Sequence, residues 1–580
     1  MHISPGIRFL LPLLASLSLL VAVANRFRLL FVVLVALPLL FVLNVYATRL
    51  RQYLRARQLG ARLVPVPRGK WPGNFDILRD LRRAWNTDYP LEVLRKILHD
   101  TGTQTLNMWI GCQDHIVTTE PEHIKTVLAT DFHNYEKGKG LRGSMHSMLG
   151  TGVFNSDGDM WKWHRNATRP FFNKQRISDF DTFAHHADCA ISCMRDRLRA
   201  GYAVDFQDLA SRFTMDSATA FLFGACVNSL DATPLPYSHN AYPTTPAGPS
   251  TNPNDAFTCA YNRAIEQTSS RTRWGGLWPL FELVRDETRE PMRVVDAYIE
   301  PIIAAAVKRK ENAVHLTGPE KLESETLLDE LLNQTSDAKV LKDEVLNILL
   351  AGRDTTMSLS TFVVYFLSVY PAVFKRLRTE IIEQVGIERT PTYEDIRELK
   401  YLRAVLNETM RLYPPVPSNL RECLRETTWA STDPTQLPFY IPAGTKIMYS
   451  VFLMHRRKDL WGPTADEFDP NRFLDDRLRK HVISNPFCFL PFNAGPRVCL
   501  GQQFAYNEAS FLVIRLLQSF SAIQLDEEAC PPQGRVPEAW RAGEGRMKIE
   551  RFRARQHLSK LVTSSSITLL SWLPKLCPAK

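Results

Sequence analysis

Hydrophobic periodicity divides the chain into long helical stretches and a few short strands. Apolar residues recur at helical spacing over roughly 174–200, 205–226, 256–275, 286–313, 339–370, 371–386, 393–413 and 502–519. Strand signals are short and confined to Leu106–Ile110, His115–Thr118, Phe439–Ile441 and Lys446–Ser450. The pattern predicts a mainly α protein with a small β subdomain. No gap between helices reads as a linker, so residues 76–553 are expected to form one large domain. From Asn228 to Asp255, six prolines sit among Ser, Thr and Asn, which predicts a surface loop.

Two apolar runs open the chain, Phe9–Ala24 and Leu29–Ala47, the second broken only by Asn44. A spanning helix needs about 20 apolar residues, which the second run supplies. Residues 1–47 therefore read as a membrane anchor of one or two segments. Ala22-Val23-Ala24 also resembles a signal-peptide cleavage site, and the second run would still anchor the product. Residues 48–70 carry seven basic residues and no acidic one, and basic flanks stay cytoplasmic. The expected location is the endoplasmic reticulum membrane, with the catalytic domain facing the cytosol. Residues 48–75 read as a basic, Pro-rich linker, in which the prolines of Pro65–Gly73 predict an extended, stiff spacer.

Charge sharpens this division. The chain of 580 residues has 71 Lys+Arg against 61 Asp+Glu, a formal net charge of +10. The first 75 residues hold ten basic residues and no acidic one, so the rest balances 61 against 61. A neutral folded domain argues against nucleic acid as a partner. The basic segment could touch anionic membrane lipid. Ten scattered cysteines without a CxxC pair argue against a zinc site, a thioredoxin-like motif or a disulfide scaffold. Cys189 and Cys193 read as buried thiols, and His185 and His186 as non-ligands.

Two stretches carry chemistry. Residues 489–501 place Cys499 just before a helix N-terminus, where the dipole and free N–H groups favour a thiolate. Gly495 and Gly501 permit positive φ and close backbone approach, Arg497 adds a fixed cation, and Phe492 can shield the sulfur. Such a thiolate suits an axial ligand to haem iron. The second stretch is Ala351-Gly352-Arg353-Asp354-Thr355-Thr356, in the middle of the long 339–370 pattern. Glycine there costs about 1 kcal/mol against alanine, and such local conflict marks a functional site. Ala351 and Gly352 leave room for a diatomic ligand, and the Thr355 hydroxyl can hold it together with water. Asp354, turned about 100° away, is expected to reach solvent and supply protons.

The pattern Phe492-x-x-Gly495-x-Arg497-x-Cys499-x-Gly501 resembles the haem-binding signature of the cytochrome P450 family. The resemblance implies haem b with Cys499 as proximal ligand and Arg497 on a propionate. Residues 351–355 resemble the family's Ala/Gly-Gly-x-Asp/Glu-Thr element. Trp161-x-x-x-Arg165 resembles its Trp-x-x-x-Arg element, with both residues on a propionate and Arg421 as a third candidate. His164 and His455 are assigned structural roles or a propionate. Glu408-x-x-Arg411 and Phe468–Phe473 imply a Glu408–Arg411–Arg472 cluster that locks the region leading to the cysteine loop.

The resemblance covers residues 60–553 and is greatest to the fungal membrane-bound group that includes alkane and fatty-acid hydroxylases, on Gly69–Asn74 and Met148–Gly158. It implies a monooxygenase that inserts one oxygen atom into a hydrophobic small molecule, in secondary metabolism or xenobiotic oxidation. Fatty acids, alkanes, polycyclic aromatics and terpenoids all qualify as substrates. Expected pocket contributors are Met145–Phe154, the 228–255 loop, the helix face near Leu349, and Val416–Leu420. The chain leaves no room for flavin domains, so the expected partner is an NADPH-dependent cytochrome P450 reductase. After His557 the sequence departs from the family's closing hairpin, so 554–580 is expected to be an atypical tail. Two other readings stay open: a haem-thiolate isomerase or peroxide-using enzyme, and a non-catalytic membrane haem sensor.

Overall fold

In the computed structural model the described residues are 18, 30–87, 91–173, 180–231, 252–317, 326–527, 535–542, 546–551, 554–557, 560–563 and 568–569. The main helices are Leu30–Gln58 (α1), Phe75–Thr87 (α2), Glu92–Thr101 (α3), Gly138–Leu149 (α4), Gly158–Thr168 (α5), Asp181–Arg199 (α6) and Phe206–Phe223 (α7). They continue with Pro253–Trp274 (α8), Arg289–Thr317 (α9), Ala338–Val369 (α10), Pro371–Gln384 (α11), Lys400–Leu412 (α12) and Gln502–Ser519 (α13). Local chemistry sets their ends. Asp337 caps α10 by accepting from the N–H groups of Lys339 and Val340. Pro371 ends it, holding Tyr370 at φ −118°, ψ 79°. The α10 helix, 32 residues long, is the axis of the domain. Phe362, Val363 and Phe366 pack in one apolar core with α6, α7, α12 and α13. Leu341, Val345 and Leu349 pack in a second with α4, α8 and α9.

The strands are Arg62–Leu63 (β1), Thr105–Asn107 (β2), His115–Thr118 (β3), Tyr135–Glu136 (β4), Asn419–Cys423 (β5), Thr427–Trp429 (β6), Phe439–Ile441 (β7) and Lys446–Tyr449 (β8). Five of them form one sheet in the order β2-β3-β8-β5-β4, with β3 and β8 parallel. A smaller sheet runs β1-β7-β6. The mainly α architecture with small sheets agrees with the sequence reading. Helices α2, α3, α4 and α5 and strands β1, β4, β5 and β6 fall outside the helical and strand patterns of the sequence. The 393–413 pattern breaks at Leu399 into Tyr393–Glu398 and α12. Residues 174–179 and most of the Pro-rich loop, 232–251, lie outside the described residues. The string Gly138-Lys-Gly140-Leu-Arg-Gly143 has the spacing of a dinucleotide fingerprint. It follows the two-residue antiparallel strand β4 rather than the parallel strand of a βαβ unit, so it is no nucleotide cradle.

Within the basic linker, residues 48–58 are the second half of α1, and residues 64–71 have no helix or strand. Arg49 pairs with Asp114 (3.4 Å) and Arg55 with Glu426 (2.7 Å), while Arg62 lies over the Phe439 ring at 4.4 Å. These basic residues therefore dock the helix onto the domain. The first apolar run lies outside the described residues apart from Ser18. Among the described residues no single helix is long and apolar enough to cross a membrane. Near the C-terminus, Ala554–His557 (β9) and Lys560–Thr563 (β10) pair as an antiparallel hairpin.

Buried polar contacts then fix the approach to the cysteine loop. Arg411 on α12 meets Glu408 with two hydrogen bonds of 2.7 and 2.8 Å, and Arg472 reaches the same carboxylate at 3.5 Å. All three side chains are essentially fully buried. Arg411 also donates to the carbonyls of His455, Ala465 and Glu467. His455 carries the contact onward. Its Nδ1–H donates to Arg411 O (3.1 Å), and its Nε2 accepts from the Leu490 N–H (3.0 Å) at the mouth of the loop. His455 is thus a structural residue and a neutral one. Burial and the adjacent Arg411 push its pKa down to about 3.

That value gives a test. The unfolded chain binds a proton at His455 below about pH 6.5, whereas the folded chain does not until about pH 3. This contribution to stability is complete above the upper value and is lost as pH falls through the window. Urea unfolding of the wild type and His455→Gln at a series of pH values should give a shallower acid limb in the variant. Equal slopes would contradict the assignment.

Candidate active site

The loop after Leu490 is shaped by two left-handed residues. Asn493 (φ 65°) accepts from the Tyr449 hydroxyl at 3.0 Å. Gly495 (φ 68°) lies so close to the neighbouring turn that an added Cβ would stand 1.8 Å from Leu128 O. Gly501 has φ −85° and ordinary clearance, 3.6 Å, to the Phe172 ring. The expected need for glycine is therefore met at 495 and not at 501. The Cys499 N–H donates to Phe492 O at 3.0 Å, and Gly501 leads directly into α13. Burial raises the Cys499 thiol, while the Gly501 N–H and the Arg165 charge oppose that rise.

The Cys499 side chain opens into a cavity of about 290 Å³. Thr355, Asp354, Gly352, Phe492, Arg497, Gly501, Trp161, Arg165 and Arg421 line it as well; Gly495 alone of the expected residues does not. No other cysteine among the described residues lines it. Cys423 sits in β5, donates to Arg425 O at 2.9 Å, and is pushed up to about 12 by burial. Of the expected pocket segments, Val153, Phe154, Val416 and Asn419 contribute. Leu349 turns into the core instead, and Ile348 and Leu350 line the cavity.

One end of the cavity is cationic. Arg497 donates to Asp157 Oδ1 (2.8 Å) and Ser156 O (3.0 Å), and its guanidinium lies 4.4 Å from the centre of the Trp161 ring. Its buried Nε has no hydrogen-bond partner. Lys137, which the sequence reading missed, hydrogen-bonds to Phe154 O and lies over the Phe154 ring at 3.4 Å. Burial, with Arg497 and Arg421 nearby, pushes its pKa well down. Four cations thus meet at this rim, and Asp157 is the carboxylate bonded among them. That surplus, with the spare Arg497 donor, fits a dianionic group such as the paired propionates of haem.

On α10 an added Cβ at Gly352 would meet nothing within 4 Å. The Thr355 hydroxyl donates to Ala351 O at 2.5 Å. Asp354 does not reach solvent: it is 1% exposed and pairs with Arg353 at 3.1 Å. The reason is packing on two sides. Arg353 is itself held by Asn262 of α8 (2.7 Å) and Ser211 of α7 (2.6 Å). Nearby, Glu508 of α13 faces the Thr356 and Ser217 hydroxyls, and burial pushes it up to about 8. Its sequence signal was an acid in an otherwise apolar helix stretch. His164 takes a structural place, 2.8 Å from the buried Glu344.

A cysteine thiol facing an apolar cavity, a cationic end to that cavity and the small residues Ala351 and Gly352 of α10 beside it together define a haem-thiolate site. Comparisons place it in a family. The "Cytochrome P450" family profile matches residues 84–537. Cytochrome P450 52-E3 of Starmerella bombicola is 35% identical over 482 residues, covering 81% of this chain and 88% of that protein. Cytochrome P450 monooxygenase g430 of a Fusarium species is 33% identical, covering 83% of each. The haem domain of cytochrome P450DA superposes with a TM-score of 0.64 at 18% identity, covering 88% of this chain and 97% of that one. The chain belongs to the cytochrome P450 family. It is an oxidoreductase of the monooxygenase type, whose cofactor is haem b with a cysteine thiolate as axial ligand.

Gly495→Ala tests the loop geometry. The new Cβ meets a backbone carbonyl, and left-handed φ costs a non-glycine residue about 1–2 kcal/mol besides. Haem content per purified chain should fall sharply. Full haem occupancy in the variant would show that the loop does not depend on that approach.

Proposed function

We propose that this protein is a membrane-bound monooxygenase that inserts one oxygen atom of O2 into a hydrophobic small molecule, with Cys499 as axial ligand of the haem. One observation carries the reading. Cys499, the Ala351–Gly352 gap with Thr355, and the apolar side chains of Phe154, Ile348, Leu350 and Val416 all line a single cavity. Bound haem supplies the oxygen-activating redox chemistry, to which a thiolate ligand donates electron density. The protein's own residues do the rest. Arg497, Lys137, Arg165, Arg421 and Trp161 hold and orient the propionate edge. Gly501 N–H keeps charge on the sulfur.

Thr355 Oγ1 exchanges its bond to Ala351 O for a proton donor in the cavity. Asp354 reloads that donor only after it leaves Arg353, takes a proton from water and rotates its carboxyl toward the cavity, a gated path rather than an open one. The apolar walls select fatty acids, alkanes, polycyclic aromatics or terpenoids and exclude water. Retention of Asp354 and Thr355 favours coupled oxygen chemistry over an isomerase, a peroxide-using enzyme or a haem sensor. Electrons come from an NADPH-dependent reductase. Membrane attachment is supported by α1, on which Leu39, Leu40, Phe41, Leu43 and Tyr46 are each more than half exposed. The seven cations after residue 47 support a cytosolic domain on the endoplasmic reticulum.

Cys499→His should abolish the thiolate-type band of the reduced, CO-bound protein; an unchanged band would sink the ligand assignment. With reductase and NADPH, mass spectrometry of an apolar compound panel should find products heavier by one oxygen. Thr355→Ala should consume NADPH with peroxide release and less product, whereas fully coupled turnover would count against its role.

A further inference from the structure

Away from the haem cavity, α6, α7 and the turn after α7 bring three donor side chains together. His186 Nε2, one carboxylate oxygen of Asp216 and Cys226 Sγ lie within 4.8 Å of one another. His186 and Asp216 are buried, and Cys226 is partly so. His186 Nε2 stands 4.0 Å from Cys226 Sγ. In a tetrahedral zinc site, with Zn–S about 2.3 Å and Zn–N about 2.0–2.1 Å, the two atoms would stand about 3.5 Å apart. A closure of about 0.5 Å brings them to that separation.

The local fold explains why they meet. Gly224 (φ 69°) ends α7 and turns the chain back. Asp216 then receives that returning turn: Oδ1 accepts from the Ser229 N–H (2.7 Å) and hydroxyl (2.8 Å), and Oδ2 from the Leu230 N–H (2.9 Å). An ionised carboxylate has about four acceptor positions, so one stays open. The Asn228 N–H, on a left-handed residue (φ 52°), donates to Cys226 Sγ at 3.2 Å. Backbone donors on the carboxylate and on the sulfur are the kind of outer contacts that orient metal ligands. Without a cation, Asp216 beside Cys226 works against a thiolate: burial and the Asp216 charge push the thiol up to about 11.

We propose that His186, Asp216 and Cys226 form a zinc(II) site that clamps α6 to the end of α7. The donor set decides the metal class. One imidazole, one thiolate and one carboxylate suit zinc, whereas magnesium and calcium take oxygen ligands. Carboxylate and thiolate together neutralise a divalent ion. On binding, the Cys226 thiol gives its proton to solvent, and neutral His186 gives none. Three protein ligands leave a fourth position to water. No spacing motif announces the set, because His186 and Cys226 lie 40 residues apart and the three donors come from α6, α7 and the turn after α7.

The test uses the full-length haem protein with Zn²⁺ alone as probe. After loading and gel filtration, about one zinc should remain per chain in addition to haem iron. Zinc-edge X-ray absorption should show one sulfur neighbour at about 2.3 Å and nitrogen or oxygen neighbours at about 2.0–2.2 Å. Cys226→Ser and His186→Gln should each weaken zinc binding by about tenfold or more, with the reduced-CO spectrum unchanged. Zinc lost during gel filtration, a zinc shell without sulfur, or equal retention by both variants would overturn the site. Should either variant fail to fold, the sulfur shell of the wild type decides alone.

Discussion

The buried pair Glu408–Arg411 is the contact on which the cysteine loop depends. Removing one member of such a pair leaves a charge unpaired in the core, at a cost of about 3–5 kcal/mol. Its value here is directional. Arg411 uses its remaining donors on three carbonyls of the segment from His455 to Glu467, so one side chain sets the path of a long irregular stretch. His455 then converts that fixed point into a hydrogen bond on Leu490, nine residues before Cys499 in the sequence. Irregular backbone has no ladder of its own to hold it. Here a helix, a guanidinium and a neutral imidazole supply that support in series.

The cavity above the loop is divided electrostatically. At the rim, Arg497, Arg165, Arg421 and Lys137 converge where water has little access, and Asp157 offsets only part of their charge. Burial first, and repulsion between the cations second, lower the pKa values of Lys137 and Arg497. A doubly negative edge of a flat cofactor relieves that repulsion. The remaining walls are apolar, so the same cavity that holds a charged edge offers little to a charged substrate. Orientation of the cofactor and selection of the substrate thus rest on separate parts of one surface.

Much of this was legible in the sequence where a spacing dictates a contact. Glu408 and Arg411 are helical neighbours whatever surrounds them, and Phe492, Arg497 and Cys499 sit in one short loop. Long helices such as α10 and α13 were readable because their apolar faces repeat. What failed depended on tertiary neighbours. Asp354 was expected at the surface because one helix shows only its own faces; the presence of α7 and α8 on that side is a long-range fact. Gly501 was given a conformational role that only Gly495 fills, since φ does not follow from residue type. Lys137 carried no motif. The helix of the second apolar run continues to Gln58 because the Arg-rich segment that follows it still has high helix propensity.

The burial of Asp354 changes what a proton path must look like. An acid in open contact with water would reprotonate freely, and protons could reach the site at any stage. Here the carboxylate is held by Arg353, and Arg353 is held in turn by Asn262 and Ser211 from two other helices. Taking up a proton from water and passing it into the cavity therefore requires breaking an ion pair in a poorly solvated place. Glu508, neutral near pH 7 because burial lifts it to about 8, stands behind Thr356 on the other side of the same helix segment. The segment is thus flanked by one paired and one protonated acid, neither freely exchanging with bulk water. Under the proposed function, that arrangement makes proton supply conditional on local motion of α10, α7 and α8. Because α7 supplies both Ser211 to the Arg353 clamp and Ala218, Phe221 and Leu222 to the cavity wall, occupancy of the cavity and the timing of proton delivery share one moving part.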